Sequence, residues 1–152
     1  MDLARAAEVI VVDTNLLVYA HRTQVPEHDR ARAVLELASR ERGGWGIALP
    51  SVLEFWSVVT HPASAGRPSR PQEARAYIDA LTKAGARSLL PTSGATARLI
   101  AAAAEQRIAG ARVFDLLIAL IARDHGAAEI WTHDHGFVSL PGLMVVDPFS
   151  RT

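Results

Sequence analysis

The sequence predicts an α/β domain, with helices packed about a short, mainly parallel central sheet. Three observations carry that expectation. Short apolar runs near residues 9–12, 45–49, 87–90, 129–132 and 143–146 have the length of strands. Apolar residues at helical spacing fill most of the stretches between them. The first run, Val9-Ile10-Val11-Val12, is unbroken and β-branched, as a strand buried on both faces requires.

Taken in order, the first strand stops on Asp13, and Thr14 and Asn15 can cap a helix whose apolar face begins at Leu16, Leu17 and Tyr19. A helix over 14–21 follows, then a loop over 22–28 containing Pro26. Ala31, Val34, Leu35 and Ala38 define a helix from His28 to about Arg42, stopped by Gly43-Gly44. After the strand at 45–49, Pro50 and Ser51 open a helix through about Val59. The segment 61–71 holds three prolines and reads as a loop. A helix over 72–84 ends at Gly85, and the strand at 87–90 follows. Helices over about 93–107 and 113–125 are separated by Ala109-Gly110. A strand at 129–132, a turn through Asp134-His135-Gly136 and a strand at 143–146 close the chain.

At 152 residues and 49% hydrophobic, the chain is expected to form one domain over 1–152 with enough core to fold alone. No apolar run approaches the roughly 18–20 residues of a spanning helix, and Met1–Ala7 lacks the apolar stretch of a signal peptide. Cysteine is absent, which removes disulfides, thiolate catalysis and zinc-thiolate sites. The expectation is a cytoplasmic protein. Sixteen basic and sixteen acidic residues cancel, which argues against a protein held to nucleic acid by bulk charge but not against a local basic rim. All the cations but Lys83 are arginines; that suits bidentate phosphate contacts, but a general preference for Arg over Lys is the better explanation.

Four acids form the candidate site. Asp13 follows a strand, where open α/β sheets place ligands, although a turn or cap residue also belongs there. Glu54 lies in Ser51-Val52-Leu53-Glu54, which also reads as a capping box with an acid in the first turn of a helix. Asp115 opens Val113-Phe114-Asp115-Leu116-Leu117-Ile118-Ala119-Leu120, a helix apolar around its circumference and therefore expected to be buried. Its carboxylate then needs the helix N-terminus, an arginine or a cation. Asp134 follows a strand as Asp13 does, and equally suits a turn before Gly136. In a parallel sheet all four positions fall on the carboxyl edge. Carboxylates gathered there repel by about 3–4 kcal/mol per close pair at an effective dielectric near 20, so they call for a divalent cation. All-oxygen ligation favours Mg²⁺ or Mn²⁺, ions that suit hydrolysis of a phosphodiester.

The ordered set resembles the PIN-domain nucleases. The resemblance rests on Ile10-Val11-Val12-Asp13-Thr14-Asn15 with Leu16-Leu17-Val18-Tyr19, the Glu54 helix, the Asp115 helix and Thr132-His133-Asp134-His135-Gly136-Phe137, and it spans residues 9 to about 147. Glu54-Phe55-Trp56-Ser57-Val58-Val59-Thr60-His61-Pro62 and Gly66-Arg67-Pro68 look like a subgroup feature of the VapC-type ribonuclease toxins of bacterial toxin–antitoxin pairs. The resemblance implies a three-layer α/β/α sandwich and an acidic quartet of Asp13, Glu54, Asp115 and Asp134 around Mg²⁺ or Mn²⁺. It implies that Asn15 and Thr132 steady the site by hydrogen bonding. It also implies a homodimer, cleavage of structured RNA, and a cognate antitoxin that wraps the toxin and blocks its site.

Arg112, Arg67 and Arg70 are candidate phosphate contacts, with ordinary exposed arginines as the alternative. His133 and His135 flank Asp134, but an extended segment points both rings away from its side chain, which favours an RNA contact over ligation there. His21, His28, His61 and His125 are scattered and read as solvated, and Asp124 reads as surface. Two other functions compete. A PIN fold retained only for RNA or protein binding would not need a complete quartet. A phosphatase of the haloacid dehalogenase kind needs a second Asp two residues after the first, where this chain has Asn15.

Overall fold

The computed structural model describes residues 8–64 and 66–151. The expectation for Met1–Ala7 lies outside these residues, as does Ala65 of the predicted loop. Five strands, β1 (Ile10–Val12), β2 (Trp45–Ala48), β3 (Ala86–Leu89), β4 (Glu129–Trp131) and β5 (Met144–Val146), form one sheet in the order β3-β2-β1-β4-β5. Every neighbouring pair is parallel. Helices α1 (Thr14–His21), α2 (His28–Ser39), α3 (Leu49–Thr60), α4 (Pro71–Lys83), α5 (Ala95–Glu105) and α6 (Val113–Asp124) supply the crossovers up to β4, and a loop over 132–143 joins β4 to β5. Each predicted element is present with its ends shifted by a few residues.

Alternation along β1 sends its side chains into two cores. Ile10 and Val12 pack with Leu16, Leu17, Val34, Phe55 and Leu81 from α1–α4. Val9 and Val11 pack with Leu116, Ile118, Leu120 and Ile121 of α6 and Ala95 of α5. Helices therefore cover both faces, in three α/β/α layers, which is why the strands read as continuous apolar runs.

Two local expectations are corrected. Ala48 is the N-cap of α3, and Pro50 occupies its first turn, where a fixed φ and a missing N–H are tolerated. Ser51 is consequently inside the helix and buried without a hydrogen-bond partner, and Glu54 stands in the second turn, so the capping box does not form. Helix α6 is buried along its middle, from Leu116 to Ala122 with Leu117 half-buried, and exposed at both ends, where Phe114 is 58% exposed and Arg123 faces outward. Among the described residues, no helix is long and apolar enough to cross a membrane.

Candidate active site

The sheet order reverses direction between β1 and β4, and a crevice opens beyond the carboxyl ends of strands at such a switch point. Asp13 follows β1 there and Thr132 follows β4. Asp13 is 6% exposed. Its Oδ1 accepts from the Thr14 N–H at 2.8 Å, capping α1. Its Oδ2 accepts from the Thr132 hydroxyl at 2.8 Å and from Asn15 Nδ2 at 3.2 Å. Asn15 Nδ2 also donates to Thr132 Oγ1 at 2.9 Å, and Asn15 Oδ1 accepts from the His133 N–H at 3.1 Å. One amide thus ties the ends of β1 and β4 together around a buried carboxylate.

The four predicted acids line a single open cleft of about 690 Å³. Glu54, exposed on α3, accepts from the Thr14 hydroxyl at 3.1 Å. Asp115, in the first turn of α6, accepts from the Val138 N–H at 3.3 Å. Asp134 accepts from the Gly136 N–H at 2.9 Å. Arg112 Nη1 donates to both Asp115 Oδ2, at 2.9 Å, and Asp134 Oδ2, at 2.7 Å. Gly136 makes room for it: a Cβ there would lie 2.5 Å from Arg112 Nη2.

Electrostatics follow the geometry. Burial pushes the Asp13 carboxyl up to about 6, against the hydrogen bonds from Thr132 and Thr14, and repulsion from Asp115 and Glu54 adds to the rise. The Arg112 guanidinium holds the Asp134 carboxyl below its usual range. Arg112 places a positive charge between two of the four acids. Among the described residues, no three quartet oxygens converge within 4.8 Å. The all-oxygen donor set fits Mg²⁺ or Mn²⁺, and Mg²⁺ in particular keeps several waters and so needs few direct protein ligands.

Other predicted contacts lie elsewhere. Arg67 and Arg70 pair with Glu73 in the first turn of α4, at 3.3 and 2.7 Å, and neither lines the cleft. An acid in that first turn sits within reach of the loop leading into it, which takes both guanidinium groups. Asp124 is not plain surface: Arg98 and Thr92 bind its carboxylate. His21 is half-buried against Phe55 and Tyr77, with ring centroids 5.3 and 4.7 Å away, and its Nε2 lies 2.8 Å from Ser69 Oγ. His28 meets the Tyr19 carbonyl and His125 the Leu90 carbonyl. His61 accepts from the Ala63 N–H.

Sequence reasoning missed Asp147, the residue after β5. Its Oδ2 lies 3.0 Å from His133 Nδ1 and 2.8 Å from His135 Nε2. Burial would raise its carboxyl, but hydrogen bonds from His135, the Phe149 N–H and His133 outweigh that and hold it low. A second cleft of about 780 Å³ adjoins the acidic one, lined by Leu49, Pro50, Leu53, Pro91, Arg112, Phe114 and Leu117 and sharing Glu54, Asp115 and Asp134 with it.

Comparison with known proteins agrees with this architecture. Residues 10–143 match the family model for the PIN domain. The chain is 32% identical over 141 residues to Ribonuclease VapC48 of Mycobacterium tuberculosis, covering 91% of this chain and 96% of that protein. VapBC2 from Rickettsia felis, solved bound to a DNA fragment from its promoter, superposes with a TM-score of 0.64 at 19% identity, covering 91% of this chain and 97% of that one. Mycobacterium tuberculosis VapC20, a Sarcin-Ricin loop cleaving toxin, superposes with a TM-score of 0.62 at 13% identity over 86% of this chain and 98% of its own.

Proposed function

The chain belongs to the PIN-domain family, and from that membership and its acidic cleft we propose that it is a Mg²⁺- or Mn²⁺-dependent endoribonuclease toxin of the VapC kind. Residues 1–152 act in this reading as one nuclease domain in the cytoplasm, held inactive by a cognate antitoxin. The observation that carries it is the gathering of Asp13, Glu54, Asp115 and Asp134, four acids from distant parts of the chain, in one cleft at the switch point. Its relative VapC48 is named a ribonuclease, and the structurally similar VapC20 is named a Sarcin-Ricin loop cleaving toxin.

Hydrolysis adds water across one P–O bond of an RNA phosphodiester. The four carboxylates would hold the cation, which when bound supplies charge to activate water and to stabilise the departing oxygen. Thr132 and Asn15 fix Asp13 against rotation, and Thr14 orients Glu54. Arg112, which lies between Asp115 and Asp134, would be placed to donate to a phosphate oxygen if a cation held those two carboxylates. The adjoining apolar cleft, with Leu53 and Phe114 exposed beside the acids, suits an antitoxin segment that covers both. Trp56 and Val58, also exposed on α3, suit the contact of a homodimer.

The test is cleavage of total RNA by the purified chain with Mg²⁺ or Mn²⁺, against EDTA and an Asp115→Asn control. Cleavage is expected only with the cation, reduced by about a hundredfold or more in the variant, since even groups behind a metal ligand contribute 10–100-fold. Cleavage indifferent to EDTA and to Asp115→Asn overturns the reading. RNA binding without cleavage under any of these conditions favours the non-catalytic binding module instead.

A further inference from the structure

We propose that His133 Nδ1, His135 Nε2 and a carboxylate oxygen of Asp147 form a second metal centre, separate from the acidic quartet, for a borderline divalent transition ion of the zinc class. These three ligand atoms lie within 4.8 Å of one another, the one such trio among the described residues. The topology brings them together. β4 and β5 are neighbours in register, with Trp131 opposite Val146, so the segments leaving the two strands run side by side. Asp147 leaves β5 and His133 leaves β4 two residues after Trp131. Both rings turn to the same side of this bend, where they meet Asp147.

Both rings aim a nitrogen at the same oxygen, Asp147 Oδ2, at 3.0 and 2.8 Å. Tetrahedral ligation with bonds of about 2.0–2.1 Å separates ligand atoms by roughly 3.3 Å, so each nitrogen–oxygen pair opens by up to about half an ångström, and the two nitrogens already lie within 4.8 Å of each other. Two imidazoles and one carboxylate suit Zn²⁺ and its transition-series neighbours, whereas Mg²⁺ prefers oxygen alone. The ligands are also held from behind. The Phe149 N–H donates to Asp147 Oδ1 at 3.0 Å, and the His133 ring packs 4.4 Å from Phe149 and 6.4 Å from Tyr19. His135, 77% exposed in its side chain, leaves a path for the ion. Three protein ligands keep one position for water or a phosphate oxygen. Both histidines line the acidic cleft as well, so an ion here adds positive charge at its rim. Only that consequence rests on the nuclease reading.

The rival is a metal-free clamp in which both rings donate hydrogen bonds to Asp147. Co²⁺ and Zn²⁺ titrations of the full chain, of His135→Ala and of Asp115→Asn distinguish the two. Expected are visible absorption bands for Co²⁺, their displacement by one equivalent of Zn²⁺, retention of both in Asp115→Asn, and at least a tenfold loss of affinity in His135→Ala. Imidazole ¹⁵N resonances of His133 and His135 that move on adding Zn²⁺ to the unmodified chain report the same site without mutation. Unmoved resonances, or a Zn²⁺ affinity that survives His135→Ala and falls in Asp115→Asn, overturn the proposal. RNA cleavage in Mg²⁺ is a separate readout, so the two readings can fail independently.

Discussion

At Asp13 burial and charge are in direct conflict. The carboxylate caps α1 and accepts three hydrogen bonds, yet burial raises it from 3.8 to about 6. The folded-state value exceeds the unfolded one, so ionised Asp13 costs the fold stability above pH 6, and the cost is relieved as pH falls through about 6 towards 4. A shift of about two units corresponds to roughly 3 kcal/mol. His21 works in the opposite direction, because burial disfavours its protonated form. The quantity to measure is therefore the stability difference between the unmodified chain and Asp13→Asn, by urea unfolding in EDTA. Between pH 7.5 and pH 4 that difference is expected to move by about 2–3 kcal/mol in favour of the unmodified chain as the pH falls. A flat difference would mean that Asp13 titrates normally. Ser51, buried without a partner, gives a second residue-scale expectation. Ser51→Ala should be neutral or stabilising by up to about 1 kcal/mol in the same assay, since it removes an unpaired hydroxyl.

Between elements, the segment joining α3 to α4 depends on Arg22, at the end of α1. Arg22 is buried, and its guanidinium donates to the carbonyls of Arg67, at 2.6 Å, and Val59, at 3.0 Å, and to Ser64 Oγ. The Ser69 N–H donates to Val59 O at 2.7 Å, and His21 meets Ser69 from the same helix turn. Charged hydrogen bonds of this kind contribute about 1.5–3 kcal/mol each where no water can replace them. Arg22→Ala is expected to lower stability by about 2–4 kcal/mol and to speed proteolysis within 61–70. Unchanged proteolysis would show that the α3 and α4 packing holds the segment without it. Phe55 and Tyr77, stacked at 5.2 Å, are the packing that would have to do so.

For the whole molecule, a parallel sheet collects strand ends that lie far apart in sequence onto one edge, and here that edge is acidic. The chain's formal charge is zero, so the clustering is local. A cation that binds only the folded state stabilises it, by about 2.7 kcal/mol at a hundred times its dissociation constant. Mg²⁺ or Mn²⁺ at saturation should raise the thermal midpoint by about 5–10 °C at pH 7.5, and by little in the Asp13→Asn, Asp115→Asn double variant. Equal shifts in the two proteins would place the ion outside the acidic cleft.

Much of this was legible in the sequence because it depends on short-range periodicity. A β-branched run ending on an acid and an amide marks a strand, a cap and Asp13 with Asn15. An apolar helix with an acid in its first turn marks Asp115. Short-range pattern could not say that Ser51 and Glu54 form no capping box, because Pro50 shifts the helix start by a turn. Nor could it say that Glu73 draws Arg67 and Arg70 aside, that Arg112 spans two acids, or that Asp147 meets His133 and His135. Those pairings follow from which strands are neighbours. Propensity and alternation act over a turn or a pleat and so determine the elements. The order β3-β2-β1-β4-β5 is decided by burying both sheet faces at once, and only that order brings the ends of β1, β4 and β5 side by side.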